Sequence, residues 1–183
     1  ILVGSSMGGA IVANYAASRP RRPGGLVLIG PAGIDPPIDS EVFAAAKRDE
    51  HLLKVEDLES FGQVYDMNFV EPPFMPVWMR RIVVAEAAPR AVEHEAVLRS
   101  LESVMLATAD RYRTIACPTE IVWGENDRII DPSGGPVWRD AIADANLTIV
   151  PRAGHSTMVE RPREVADCVE DLIRRIDAES ANS

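Results

Sequence analysis

The fold is decided by the first nine residues, Ile1-Leu2-Val3-Gly4-Ser5-Ser6-Met7-Gly8-Gly9. Three apolar residues predict the end of a buried strand, and the alanine-rich run 10–17 predicts a helix directly after it. Between them lies the pattern G-x-S-x-G, centred on Ser6. A strand that turns sharply into a helix around a serine is the nucleophile elbow, which holds the serine Oγ above a sheet. We expect Gly4 and Gly8 to be required because a Cβ at either position would collide with a neighbouring strand or helix.

The motif is weak evidence by itself, because glycine and serine are common enough for it to occur by chance in about one chain in twenty of this length. The strand before it and the helix after it make the interpretation specific. A phosphate-binding loop starting at Gly4 is excluded, since Ala10 and Ile11 stand where Lys and Ser/Thr would be required. The dinucleotide pattern G-x-G-x-x-G is absent from the sequence.

Composition narrows the class of protein. The 183 residues are 46% hydrophobic and 26% charged, which is ordinary for a globular protein with one substantial core. A net charge of −9 without a basic stripe argues against nucleic acid as a partner. Cys117 and Cys168 are far apart, and we expect both to be reduced, with a disulfide as the alternative. Because the chain begins inside a predicted core strand, we expect it to be the C-terminal part of a longer protein.

The remaining pattern predicts an α/β fold whose parallel sheet is interrupted by a helical segment. Residues 26–29 form a second apolar strand, so strand, helix and strand make a βαβ unit. Proline-containing breaks separate predicted helices over 41–53, 55–65, 76–88 and 90–106. Strands follow at 119–123 and 147–150, with a helix over 136–145 between them and a closing helix from Pro162. This gives three predicted units: hydrolase-type core 1–34, helical cap 35–110 and second core part 111–183.

One segment of the predicted cap is unusually rich in large apolar residues and proline. It runs from Phe69 to Met79 and carries little charge. These side chains could pack the cap onto the sheet, or they could line an apolar substrate pocket. The candidate pocket residues are Phe69, Phe74, Met75 and Trp78.

Three chemically distinctive residues come just after predicted strands, where the reactive groups of a parallel sheet gather. Ser6 needs a base to remove its proton, His155 is suited to that role near neutral pH, and Asp127 would orient the histidine. The order Ser, Asp, His is that of hydrolases with a nucleophile elbow. Asp127 could instead be a turn residue, with Glu125 and Asp131 as other candidate acids, and His155 could be an ordinary loop histidine.

Four motifs together resemble the α/β-hydrolase superfamily: Gly4-Ser5-Ser6-Met7-Gly8-Gly9, Leu28-Ile29-Gly30-Pro31-Ala32-Gly33, Trp123-Gly124-Glu125-Asn126-Asp127 and Ala153-Gly154-His155. Residues 68–76, and the run from His155 to Pro162, resemble the branch of bacterial lipases and monoacylglycerol-lipase-like esterases. The resemblance implies Ser6, Asp127 and His155 as catalytic residues and the Met7 N–H as one oxyanion donor.

The resemblance also implies a substrate class. We expect hydrolysis of carboxylic esters of apolar acyl groups, monoacylglycerols included, with no metal or organic cofactor and with transient contact between the cap and a lipid surface. Hydrolysis of a carbon–carbon bond in ring-cleavage products is an alternative, and a non-catalytic hydrolase-like protein is another. Members of the superfamily have further strands before the elbow, and a loop there supplies the second oxyanion donor. We therefore expect the elbow strand to be an edge of the sheet.

Overall fold

A computed structural model describes residues 1–97 and 109–181, except for the side chains of residues 179 and 180. Its centre is a parallel sheet whose four strands follow their sequence order: β1 (Leu2–Ser5), β2 (Leu26–Ile29), β3 (Thr119–Gly124) and β4 (Ala145–Val150). The register places Ser5 opposite Ile29 and Ile29 opposite Val122. The carboxyl ends of β1, β2 and β3 therefore meet at one edge, as the α/β prediction requires.

Helices connect and cover the strands. They are α1 (Met7–Ser18), α2 (Glu41–Ala46), α3 (Leu58–Asn68), α4 (Val77–Ala87), α5 (residues 91–97), α6 (Gly134–Ala141), α7 (Thr157–Glu160) and α8 (Pro162–Ala181). Short 3₁₀ turns occupy Ala88–Arg90 and Ala109–Thr114. None of the described helices is long and apolar enough to cross a membrane.

The core lies on both faces of the sheet, because successive residues of a strand point to opposite sides. Leu26 and Leu28 pack on one face with residues of α1 and α6. Val27 and Ile29 pack on the other face, against the apolar side of α8. A parallel sheet covered on both faces accounts for the uninterrupted apolar run of β2.

Two predicted cap helices have different bounds in the structure. α2 ends at Ala46 instead of residue 53, and the chain then turns through Asp49, whose φ is +60°. α3 starts at Leu58 instead of residue 55, because the Asp57 side chain accepts the Ser60 N–H in a capping box. α4 agrees with the prediction to within one residue at each end. Of the helix predicted over 90–106, residues 91–97 are helical and 98–106 lie outside the described residues.

The C-terminal predictions also need correction. The helix predicted over 136–145 ends at Ala141, and Ala145 already begins β4. α8 continues to Ala181, whereas a frayed tail was expected from residue 177. Its last turns are tied down by Arg175, which pairs with the buried Glu120 and with Asp144. Ile173, expected on the buried face of this helix, is exposed.

Two further expectations are confirmed. β1 is an edge of the described sheet, and Ile1 and Val3 are each 53% exposed. Cys117 and Cys168 are buried and not joined in a disulfide. The division into core 1–34, cap 35–110 and core 111–183 stays a prediction.

Candidate active site

Ser6 occupies a strained turn between β1 and α1. Its φ of 53° and ψ of −123° lie where residues other than glycine are uncommon. Three backbone hydrogen bonds hold it there. The Ser6 N–H donates to the Ile29 carbonyl at 3.0 Å, and the Ser6 carbonyl accepts the N–H groups of Gly9 at 2.9 Å and Ala32 at 3.0 Å. Neighbouring elements thus maintain the strain, as expected where an unusual conformation serves a function.

The glycine requirement of this turn differs in part from the prediction. A Cβ built at Gly4 would lie 2.4 Å from the Gly8 carbonyl oxygen, so glycine is needed there. At Gly8, the described residues place no atom within 4 Å of such a Cβ. The crowded position is Gly9, where a Cβ would lie 2.7 Å from Pro31 Cβ. The close approach is therefore between α1 and the loop after β2, one residue later than predicted.

Asp127 and His155 form a buried pair. Asp127 is 5% exposed and His155 is 8% exposed. The distance between His155 Nδ1 and Asp127 Oδ2 is 2.7 Å. With Nδ1 bonded to the carboxylate, Nε2 is the ring nitrogen left to exchange a proton with a hydroxyl group.

The Asp127 carboxylate is fixed by three further donors. Oδ1 accepts the N–H groups of Ile129 at 2.9 Å and Ile130 at 3.0 Å. The Trp123 indole N–H donates to Oδ2 at 3.1 Å and also to the Ile130 carbonyl. Asp127 is thus both a turn residue and the partner of His155, so the two interpretations of the sequence are compatible. Sequence reasoning did not single out Trp123 as a ligand of this carboxylate.

The other candidate acids occupy different environments. Asp131 Oδ1 accepts the Ser133 N–H at 2.9 Å, which makes it a local turn residue. Glu125 is exposed. Of the three carboxylates considered, Asp127 is the one the structure brings to His155.

Gly30 connects the serine turn to the Asp127–His155 pair. It follows β2 directly, and its N–H donates to the Val122 carbonyl of β3 at 2.8 Å. The neighbouring Ile29 carbonyl accepts the Ser6 N–H. A Cβ at residue 30 would lie 3.2 Å from Asp127 Oδ2 and 3.6 Å from His155 Nδ1. The three predicted catalytic residues therefore gather around the end of β2.

Met7, the predicted oxyanion donor, is the first residue of α1. The first N–H groups of a helix have no acceptor within the helix and face the positive end of its dipole. Met7 therefore lies where an N–H can bind a negatively charged oxygen next to Ser6. Its role as a donor stays a prediction.

The acid loop is anchored to the start of the predicted cap. Arg128 makes two hydrogen bonds to the Glu41 carboxylate, at 2.7 and 2.8 Å, and this contact lowers the pKa of Glu41. The buried Ser40 hydroxyl donates to the Ile129 carbonyl at 2.7 Å. Sequence analysis did not find these contacts, because they join residues nearly ninety positions apart.

The four predicted pocket residues differ in exposure. Phe69 is half-buried, and its ring centroid lies 5.0 Å from that of Tyr65. Met75 is also half-buried. Phe74 is 90% exposed and Trp78 is 63% exposed, so these two side chains lie on the surface of the described structure.

Comparison with known proteins identifies the class. The Alpha/beta hydrolase family matches residues 1–168, and the chain belongs to this family. It is similar to monoacylglycerol lipase abhd6-A of Xenopus laevis, with 28% identity over 99% of this chain and 56% of the relative. It is also similar to Lipase 1 of Psychrobacter immobilis, with 30% identity over 90% of this chain and 52% of the relative.

A solved structure of a membrane phospholipase A, described as a novel bacterial virulence factor, superposes on the chain with a TM-score of 0.90. The two share 32% identity over 96% of this chain and 57% of that one. The chain thus spans about half the length of the curated relatives it matches.

Proposed function

We propose that the chain carries the catalytic Ser6, Asp127 and His155 of a serine hydrolase that cleaves carboxylic esters of apolar acyl groups. The observation that carries the proposal is the strained Ser6 turn at the end of β1, next to the buried Asp127–His155 pair. Its similarity to enzymes named lipases and monoacylglycerol lipases supports ester over carbon–carbon substrates.

In the proposed reaction, Ser6 Oγ attacks the ester carbonyl carbon while His155 Nε2 takes the hydroxyl proton. The carbonyl oxygen becomes an oxyanion, toward which the Met7 N–H donates. Collapse of this intermediate breaks the bond to the alcohol, which leaves with the proton from His155. Water then attacks the acyl-enzyme with His155 again as base, and the acid and free Ser6 are released. Asp127 holds the imidazole by Nδ1 and stabilises its protonated form.

The apolar segment of the cap supports an apolar acyl group as the substrate. In this proposal the half-buried Phe69 and Met75 line the acyl site. The exposed Phe74 and Trp78, with Val77 and Ile82 of α4, form an apolar surface that contacts the lipid from which the substrate comes. Side chains of this size gain free energy when they leave water for an apolar phase.

The test is hydrolysis of p-nitrophenyl butyrate by the full-length natural protein and by its Ser6→Ala variant. Ser5→Ala is the matched control, since it removes a neighbouring hydroxyl in the same turn. We expect Ser6→Ala to lose hydrolysis and Ser5→Ala to keep it. Hydrolysis that survives in Ser6→Ala would overturn the proposal. So would a parent protein that ignores such esters but cleaves a vinylogous diketone.

A further inference from the structure

Glu160 lies between the loop that carries His155 and the apolar segment of the cap. It is the last residue of α7, five positions after His155. Its Oε1 accepts the N–H groups of Val70 at 2.8 Å and Glu71 at 2.9 Å. Its Oε2 accepts the N–H of Gly154 at 2.6 Å. One carboxylate therefore joins two segments that are more than eighty positions apart.

A second link lies on the other side of His155. The Ser156 N–H donates to the Asn68 carbonyl at 3.0 Å, and the Ser156 hydroxyl donates to Asn68 Oδ1 at 3.3 Å. Both neighbours of His155 are thus bound, directly or through Glu160, to residues 68–71 at the end of α3. The backbone of His155 is held between these two links.

We propose that Glu160 is a positioning residue, which fixes the His155 backbone against residues 68–71 and so keeps the imidazole aimed at Ser6. This inference rests on the proposed function. Glu160 acts through Gly154 and does not touch the reacting atoms. Hydrogen bonds from N–H groups to a carboxylate are stronger than those to a neutral acceptor, and both oxygens of this carboxylate are used.

The chemistry of this bridge requires a carboxylate. An ionised Glu has two accepting oxygens, whereas Gln has one oxygen and an NH₂ group that only donates. In Glu160→Gln, the NH₂ group must therefore face either the Gly154 N–H or those of Val70 and Glu71. The size and shape of the side chain are unchanged, but one half of the bridge is lost.

The experiment compares Glu160→Gln with Glu164→Gln in the full-length natural protein. Glu164 lies on the exposed side of the first turn of α8, so its substitution removes the same charge nearby. For p-nitrophenyl acetate we expect Glu160→Gln to lower kcat about 10- to 100-fold, since small misplacements of a catalytic group have effects of this size. KM should stay within about twofold, because the ester does not contact Glu160. Glu164→Gln should match the parent protein.

Hydrogen exchange provides a readout that is independent of activity. The amides of Gly154, Val70 and Glu71 should exchange faster together in Glu160→Gln and remain unchanged in Glu164→Gln. An unchanged kcat in an active Glu160→Gln variant would overturn the positioning role alone. So would a loss of activity that follows only the unfolded fraction and disappears on cooling. Absence of Ser6-dependent hydrolysis in the parent protein would instead overturn the proposed function and, with it, this role.

A second pair of variants tests the bridge from the cap side if Glu160→Gln does not fold. Glu71→Pro removes the Glu71 N–H and leaves Glu160 and Gly154 in place. Glu71→Ala removes the same side chain and keeps the N–H. We expect kcat of Glu71→Pro to be about three- to tenfold below that of Glu71→Ala, with less effect than Glu160→Gln because the Val70 N–H remains. Equal kcat values in the two folded variants would overturn the inference.

Discussion

Gly30 lies against Asp127, at a distance that leaves no room for a side chain. A Cβ at residue 30 would be 3.2 Å from Asp127 Oδ2, and the backbone there has a φ of +47°. The residue that ends β2 therefore limits how closely the Asp127–His155 pair can approach the Ser6 turn. The contact explains why glycine follows the apolar run of β2.

Gly30→Ala is expected to impair both stability and activity. The left-handed backbone costs a residue with a Cβ about 1–2 kcal/mol, and the added methyl group would press on the carboxylate that holds His155. Unfolding in urea should show the loss of stability, and ester hydrolysis at a temperature where the variant is folded should show the loss of kcat. Gly24→Ala is the control, because a Cβ there meets no described atom within 4 Å. Parent-like activity in Gly30→Ala would show that the contact is unimportant.

Asp127→Asn should lower kcat by orders of magnitude, about 10⁴-fold in the comparable serine protease. The reason is that Asn can present its NH₂ group to Nδ1 and so favour the wrong tautomer of His155. Initial rates with a p-nitrophenyl ester measure the effect. Asp131→Asn and Glu125→Gln should stay near the parent rate. A larger loss in either of those variants would mean that the acid has been wrongly assigned.

Acyl chain length should raise kcat/KM until the acyl site is full. Burial gains about 0.8 kcal/mol per CH₂, which corresponds to about fourfold per CH₂ for a chain that is fully buried. A series of p-nitrophenyl esters from acetate upward measures this slope. If Phe74 and Trp78 contact lipid, their replacement by Ala should weaken binding to vesicles and leave the slope for soluble esters unchanged. If they line the acyl site, the same variants should flatten the slope.

The two cysteines should be unreactive in the folded protein. Burial raises the pKa of the Cys117 thiol and that of the Cys168 thiol, so the reactive thiolate is scarce at pH 8. Iodoacetamide should modify the peptides that contain them slowly before unfolding and quickly in guanidinium chloride, as followed by mass spectrometry. Ester hydrolysis should survive the treatment of the folded protein. Rapid modification of either peptide would show that its thiol is accessible.

Much of the sheet could be predicted from the sequence, because β2 and β3 are continuous apolar runs and their connections are short-range patterns. The positions of Ser6, Asp127 and His155 followed from the rule that side chains after parallel strands share one edge. The bounds of α2 and α3 were wrong, because a positive φ at Asp49 and the cap at Asp57 outweighed the periodicity. Contacts of Glu160, Trp123 and Arg128 depend on tertiary packing, which leaves no local pattern in a single sequence.

The central claim is that Ser6 is the nucleophile of this site. The most direct measurement is covalent labelling of the full-length natural protein by a fluorophosphonate, followed by mass spectrometry of the labelled peptide. We predict one modification, on Ser6, that is absent from Ser6→Ala, retained in Ser5→Ala and slowed in Asp127→Asn. Labelling of a different residue, or labelling that persists in Ser6→Ala, would contradict the claim.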